Sequence, residues 1–219
     1  MSLIVADPVE IGIVDYGMGN RRSVEKALEH VGAGVLVSSD PDRLRRVAGL
    51  VLPGVGAFPR AMANLERLGL DELIRERVAA GTPVLGICLG MQLAFERSSE
   101  LGGAQGLGLI PGEVRPLRAD GLKLPLIGWN EVTFTRPSPL TRDLPERCAF
   151  YHVHSLVAVP SDPADVLGTA EYGERFATVV RRGSFYGVQF HPEKSSAAGL
   201  RMLANFAALC VGAGAPRGR

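Results

Sequence analysis

The chain has 219 residues, enough for one α/β domain with a large core. With 46% hydrophobic and 21% charged residues it is a globular chain, and a net charge of +1 gives nucleic acid or an anionic membrane no electrostatic handle. Three cysteines without metal-like spacing point to a reducing, cytoplasmic setting, the first ten residues carry no signal-peptide core, and no run nears the roughly 18 apolar residues of a membrane helix.

Residues 9–14, with Ile11 and Ile13, read as a first strand. Asp15-Tyr16-Gly17-Met18-Gly19-Asn20 is a glycine loop, and 21–30 a helix with Val24, Ala27, Leu28 and Val31 on one face. Strand, Gly-x-Gly and helix begin like a dinucleotide site. The third glycine is missing, and Asp40 is a poor stand-in for the ribose-binding acid, so a tight turn is the better reading. A strand at 34–37, a short helix at 41–47 and a strand at 49–52 follow. The last ends in Pro53-Gly54-Val55-Gly56-Ala57-Phe58. Glycine-flanked loops at the carboxyl ends of parallel strands bind ligands in open α/β sheets, and their N–H groups can stabilise an oxyanion; a plain strand-to-helix turn would use the same residues. Residues 59–68 and 70–80 read as one broken helix or two, parted by Gly69.

The apolar run 82–85 reads as a buried parallel strand, and 89 to about 97 as a helix. Between them stands Gly86-Ile87-Cys88-Leu89-Gly90-Met91-Gln92, the G-x-C-x-G form of a nucleophile elbow. Both glycines are needed because the turn is sharp, and the sulfur comes to a helix N-terminus, where thiolate is favoured over thiol. A small buried cysteine is the ordinary alternative. Residues 98–108 form a polar, glycine-rich loop with Glu100. Short strand-like pieces then run at 114–117, 124–127, 131–135, 148–153, 155–159, 166–172 and 176–181. They read as an antiparallel layer inserted before a last parallel strand, 185–190. A helix at 195–211 closes the chain. The expected architecture is α/β: one domain over 9–211, a mostly parallel central sheet flanked by helices with an additional antiparallel layer, and tails at 1–8 and 212–219.

Of four histidines, His30 sits on a surface helix. His191 follows the last parallel strand, on the sheet edge that also carries Cys88, so imidazole and thiol can meet. Glu193, two residues on across Pro192, can fix the imidazole tautomer. Cys, base and orienter form a triad by role and point to acyl transfer through a thioester, with oxyanion donors from Leu89 N–H and the Gly54-Val55 peptide. A chance ion pair in a surface turn would read the same for His-x-Glu alone. Gln92 and Glu100 flank the site and could bind the ends of a small amino acid, or be ordinary polar residues.

The elbow segment and Gly187-Val188-Gln189-Phe190-His191-Pro192-Glu193-Lys194-Ser195 resemble the two signatures of class I (triad) glutamine amidotransferases. Asp15–Asn20 with Ser23-Val24, Pro53–Phe58 and Gly128-Trp129-Asn130 narrow the resemblance to the glutaminase subunits of imidazole glycerol phosphate synthases, over nearly the whole chain. The resemblance implies Cys88, His191 and Glu193 as the triad, Gln92 and Glu100 as glutamine-binding residues, and Ser155 as a main-chain substrate contact. It implies no cofactor and no metal. It implies that L-glutamine is cleaved to glutamate and ammonia, which passes to a (β/α)8-barrel cyclase partner in a heterodimer, with no nucleic acid or membrane involved. Such a barrel takes about 250 residues by itself, so it must be a second chain. Asn20, Trp129, Asn130, Tyr151 and Lys194 are the expected interface residues, although the single tryptophan could equally be core. Two departures stand out. Tyr151-His152-Val153-His154-Ser155-Leu156 replaces Tyr-Phe-Val-His-Ser-Tyr, and Ile127 replaces a methionine before Gly-Trp-Asn. His154 is expected to be structural and His152 a surface substitution, with buried packing the default for Cys148 and Cys210. The competing readings are a glutaminase of pyridoxal phosphate or purine synthesis, a non-catalytic amidotransferase-like partner protein and, more distantly, a thiol peptidase.

Overall fold

The computed structural model describes residues 9–214. Strands β1 (Glu10–Val14), β2 (Gly34–Ser38), β3 (Gly49–Leu52) and β4 (Val84–Ile87) alternate with helices α1 (Arg21–His30), α2 (Pro41–Leu44), α3 (Phe58–Arg67) and α4 (Leu70–Ala79). A one-turn helix, α5 (Leu89–Gln92), leads into β5 (Phe95–Ser98), β6 (Ala104–Gln105), β7 (Ile110–Pro116) and β8 (Leu126–Phe134). Then come β9 (Arg147–His154), β10 (Leu156–Pro160), β11 (Val166–Tyr172), β12 (Glu174–Arg182), β13 (Phe185–Val188) and α6 (Ser196–Gly214).

Strands β2-β1-β3-β4-β13 pair in parallel in that order. Their alternating residues are buried on both faces, as a sheet covered by helices on each side requires. Val51, Leu85, Ile87, Tyr186 and Val188 pack on one side with Val24 and Leu28 of α1 and Met202, Leu203 and Phe206 of α6. Leu50, Leu52, Val84 and Phe185 pack on the other with Leu44, Phe58, Leu65, Leu73 and Ile74 of α2, α3 and α4. The antiparallel strands continue from β13 through β12, which also pairs with β10 and β11; β11 then carries the β8–β9 ribbon. No described helix is long and apolar enough to cross a membrane.

The structure differs from the sequence reading in several places. The helix after Cys88 lasts one turn, not the expected two or more, because the returning chain takes its carbonyls: Leu107 N–H donates to Leu93 O and Ile110 N–H to Ala94 O. Phe95–Ser98 is therefore a strand, paired with β6 and β7. Gly128-Trp129-Asn130 is not a break between two strands but the middle of β8, paired residue by residue with β9. At the C-terminus α6 runs on to Gly214, past the expected end at 211, while residues 1–8 and 215–219 of the expected tails lie outside those described. The short helix α2 likewise ends at Leu44 rather than 47.

Candidate active site

Cys88 occupies a backbone conformation that L-residues rarely adopt, φ 53 and ψ −107, between β4 and α5. The flanking glycines make that turn possible. A Cβ at Gly90 would overlap the Leu52 carbonyl oxygen of the adjacent strand, and one at Gly86 would lie 2.6 Å from the Gly90 carbonyl. With α5 a single turn, the helix dipole behind the sulfur is short, and the charge environment of Cys88 is set by its neighbours.

One of these is His191, whose imidazole interacts with Cys88. Its Nδ1 lies 2.8 Å from Glu193 Oε1. A carboxylate oxygen only accepts, so Nδ1 carries the proton and Nε2 is left as the basic nitrogen. Nε2 is buried and makes no well-formed hydrogen bond within the chain. Burial by itself would lower the imidazole pKa; hydrogen bonding and charge from Cys88 and Glu193 outweigh it and hold the pKa up at about 9. Thiol, imidazole and carboxylate thus converge at one sheet edge, and the His191 and Glu193 side chains are almost wholly shielded from solvent.

Two further side chains join this cluster that sequence reasoning had not placed there. Asn20 Nδ2 donates to Glu193 Oε1 at 2.7 Å. Gln189, fully buried, donates through Nε2 to Cys88 Sγ at 3.7 Å, and its Oε1 accepts from Gln92 Nε2 at 3.0 Å. Gln189 sits two residues before His191, so period-2 alternation places both on the same side, a signal available in the sequence.

A cavity of about 250 Å³ opens at the sulfur, lined by Val55, Gly56, Cys88, Leu89, Gln92, Glu100, Pro125 and the 153–156 turn that includes Ser155. Larger concavities elsewhere, such as the crevice along 134–146, hold none of these groups. Glu100 reaches the cavity from the β5–β6 connection and accepts from Phe58 N–H at 2.6 Å through Oε2, serving the otherwise uncapped start of α3. Ser155 O accepts from Leu117 N–H at 2.9 Å. Tyr16 O–H anchors the Pro53–Phe58 loop by donating to Pro53 O at 2.6 Å, and burial pushes its phenol pKa up. Gly54 must be glycine, because a Cβ there would meet the Tyr16 hydroxyl. Leu89 N–H begins α5 and has no acceptor within that helix.

His152 corrects an expectation. It is not on the surface: it has no solvent exposure, Nδ1–H donates to Phe150 O, and Nε2 accepts from Thr178 Oγ1. Phe150, His152 and His154 alternate inward along β9 against Phe176 and Phe190. Burial pushes the His152 pKa down to about 4 and that of His154 to about 3, so both rings are neutral. Cys210 packs in the core, where burial pushes its thiol up to about 12; Cys148 is half-buried and its thiol is also raised by burial. Of the expected interface residues, Trp129 is half exposed and meets Tyr151 edge to face, Lys194 is exposed, and Asn130 donates to Glu171 O at 3.1 Å. Among the described residues, no group of His, Cys, Asp and Glu is placed to hold a metal ion.

The class-I glutamine amidotransferase family profile matches residues 12–210. The imidazole glycerol phosphate synthase subunit HisH of Moorella thermoacetica is 52% identical over 204 residues, covering 93% of this chain and 97% of that protein. The HisH of Pseudomonas putida is 49% identical, covering 90% and 96%. The chain belongs to the class-I glutamine amidotransferases, in their HisH branch. This amidotransferase shares its fold with PurLQS of Thermotoga maritima (TM-score 0.73, 19% identity, 94% of this chain and 98% of that one). It is likewise similar to a structure described as glutamine amidotransferase (TM-score 0.72, 19% identity, 92% and 98%). The HisH-branch amidotransferase therefore presents the Cys-His-Glu cluster on a single-domain α/β scaffold common to the class.

Proposed function

We propose that this amidotransferase is the glutaminase subunit of an imidazole glycerol phosphate synthase, with Cys88, His191 and Glu193 as its triad. The observation that carries the reading is the meeting of thiol, imidazole and carboxylate beside a cavity of glutamine scale. The imidazole, held near pKa 9, takes the Cys88 proton and becomes the imidazolium that can later protonate a leaving group. The thiolate attacks the side-chain amide carbon of L-glutamine. Leu89 N–H and the Gly54-Val55 peptide receive the developing oxyanion. The imidazolium protonates the leaving nitrogen, ammonia departs, and the neutral imidazole then takes a proton from the water that splits the thioester to glutamate. Gln92, Glu100 and the main chain at Ser155 bind the amino-acid end. Glu100 keeps one oxygen for the substrate ammonium beyond the one engaged by Phe58.

Ammonia then passes to a (β/α)8-barrel cyclase bound as a heterodimer, which forms imidazole glycerol phosphate in histidine biosynthesis, in the cytoplasm. Direct transfer makes chemical sense, because ammonia released to neutral water is protonated and ceases to be a nucleophile. The domain spanning 9–211 docks through the edge carrying Asn20, Trp129, Asn130, Tyr151 and Lys194. An exposed apolar strip of Ile127 and Trp129 on β8 supports this docking. No cofactor or metal enters the reaction.

The test is Cys88→Ala in complex with the cyclase. Glutamine-dependent synthesis is expected to vanish while synthesis from added ammonium salt continues. Loss of both would overturn the division of labour, and survival of glutamine use would remove Cys88 from the mechanism.

A further inference from the structure

We propose that Asn20 is a positioning residue of the triad: its side-chain amide locks the Glu193 carboxylate in the orientation that aims His191 at Cys88. The inference rests on the triad reading above. Asn20 is the N-cap of α1, where an asparagine ordinarily turns its side chain onto the helix's free N–H groups. Here it makes no capping hydrogen bond and lies in the left-handed region, φ 81 and ψ 0. Its amide leaves the helix and reaches across to the segment after β13.

The geometry there leaves little freedom. Glu193 Oε1 receives two donors, His191 Nδ1–H at 2.8 Å and Asn20 Nδ2–H at 2.7 Å. Glu193 Oε2 is buried with no partner. Among the described residues nothing else donates to this carboxylate, so without Asn20 it is held by the imidazole alone and can rotate with it. The amide's own orientation is fixed as well: with its ends exchanged, Oδ1 would face a carboxylate oxygen. Asn20 Nδ2 also lies 3.2 Å from His191 Nδ1. With Nδ1 protonated this is a contact between two donors, so the amide serves the carboxylate and not the ring. The titratable groups acting on the imidazole are Cys88 and Glu193, with His152 and His154 behind it. Asn20 divides the Glu193 charge that His191 would otherwise see whole.

The competing explanation for Asn20 is its backbone, since asparagine tolerates the left-handed region better than most residues. Asn20→Gly separates the two, because glycine keeps that conformation without strain and deletes the amide. Asn20→Asp keeps the shape and sets a second carboxylate against Glu193. Both are assayed in complex with the cyclase, for glutamine-dependent kcat and KM, pH profile, and ammonium-dependent synthesis. Asn20→Gly is expected to lower glutamine-dependent kcat about 10- to 100-fold, the scale of lost outer-shell partners, with KM within about twofold. The pH-profile limb governed by His191 should move to higher pH, and ammonium-dependent synthesis should stay intact. Asn20→Asp should lose more. A glycine variant with unchanged kcat, or a lower kcat with an unmoved pH profile, overturns the proposal. So does a kcat restored to the parent's at saturating cyclase, which would leave Asn20 with its docking role alone. Failure of the underlying triad reading shows separately, as glutaminase activity surviving in Cys88→Ala.

Discussion

His152 and His191 stand on the same wall of the molecule and titrate in opposite directions. His152 is hydrogen-bonded as a neutral ring among aromatic side chains, and its pKa falls from 6.5 to about 4. The unfolded chain takes up a proton as pH drops below 6.5, but the folded chain resists until about 4. The associated stability is present above 6.5 and is lost as pH falls through that window. His191, raised to about 9, works the other way: its contribution is complete below 6.5 and disappears as pH rises through about 9. Replacing His152 by the phenylalanine usual in the resembled motif should remove the acid-side dependence, since Phe176 and Phe190 already meet the ring edge to face. Urea unfolding at pH about 7.5 and about 5 checks this: His152→Phe should lose about 2 kcal/mol less than the parent on acidification, at roughly 1.4 kcal/mol per pKa unit. Equal losses would show that acid sensitivity arises elsewhere. The alternation of Phe150, His152 and His154 along β9 predicts the burial of His152, but a histidine in an otherwise aromatic position reads by its polarity as a surface residue.

The strand-turn-helix around Cys88 is the element on which the proposed chemistry depends. Its two glycines are readable from sequence because the geometry admits no alternative; the length of the helix is not, because carbonyls of Leu93 and Ala94 are captured by residues distant in the chain. Gly90→Ala should drive a methyl into the Leu52 carbonyl and separate β3 from the elbow. We expect a loss of roughly 3 kcal/mol or more in stability, the scale of an overpacked core site, and no measurable glutaminase activity. Thermal unfolding of the variant decides: a melting temperature equal to the parent's would mean that the elbow can yield. The β8–β9 ribbon teaches the reverse lesson. Gly128 looks like a strand break, yet pairing with His152 carries the strand straight through it.

At the scale of the molecule, one edge of the sheet gathers the cavity, the Cys88–His191–Glu193 cluster and Tyr151, whose carbonyl accepts from His191 N–H and whose ring meets the exposed Trp129. The docking proposed at that edge would act directly on the Pro53–Phe58 loop, in which Val55 is exposed and Gly56 has φ +129. The free chain is therefore expected to have little glutaminase activity until the cyclase and its ligand are added. Trp129→Ala should weaken docking by about 2 kcal/mol, or roughly 30-fold in Kd, as for a central tryptophan anchor. Titrating the cyclase against glutaminase rate measures both effects; equal rates with and without it would exclude activation, and an unchanged midpoint would place Trp129 outside the interface.

The order of chemistry-bearing residues was determined by sequence: a cysteine between obligatory glycines, a histidine and a glutamate after the last parallel strand, and a βα alternation that brings them to one edge. These follow from local sterics and from the periodicity of buried strands, which act over a few residues. Only the tertiary structure decided that Asn20 serves Glu193, that Gln189 bridges Gln92 and the sulfur, that Glu100 caps α3, and that the helix after Cys88 stops after one turn. Each of those depends on a hydrogen bond to a residue remote in the chain. Such partners are chosen by how the packed elements meet, and no local pattern in the sequence records that choice.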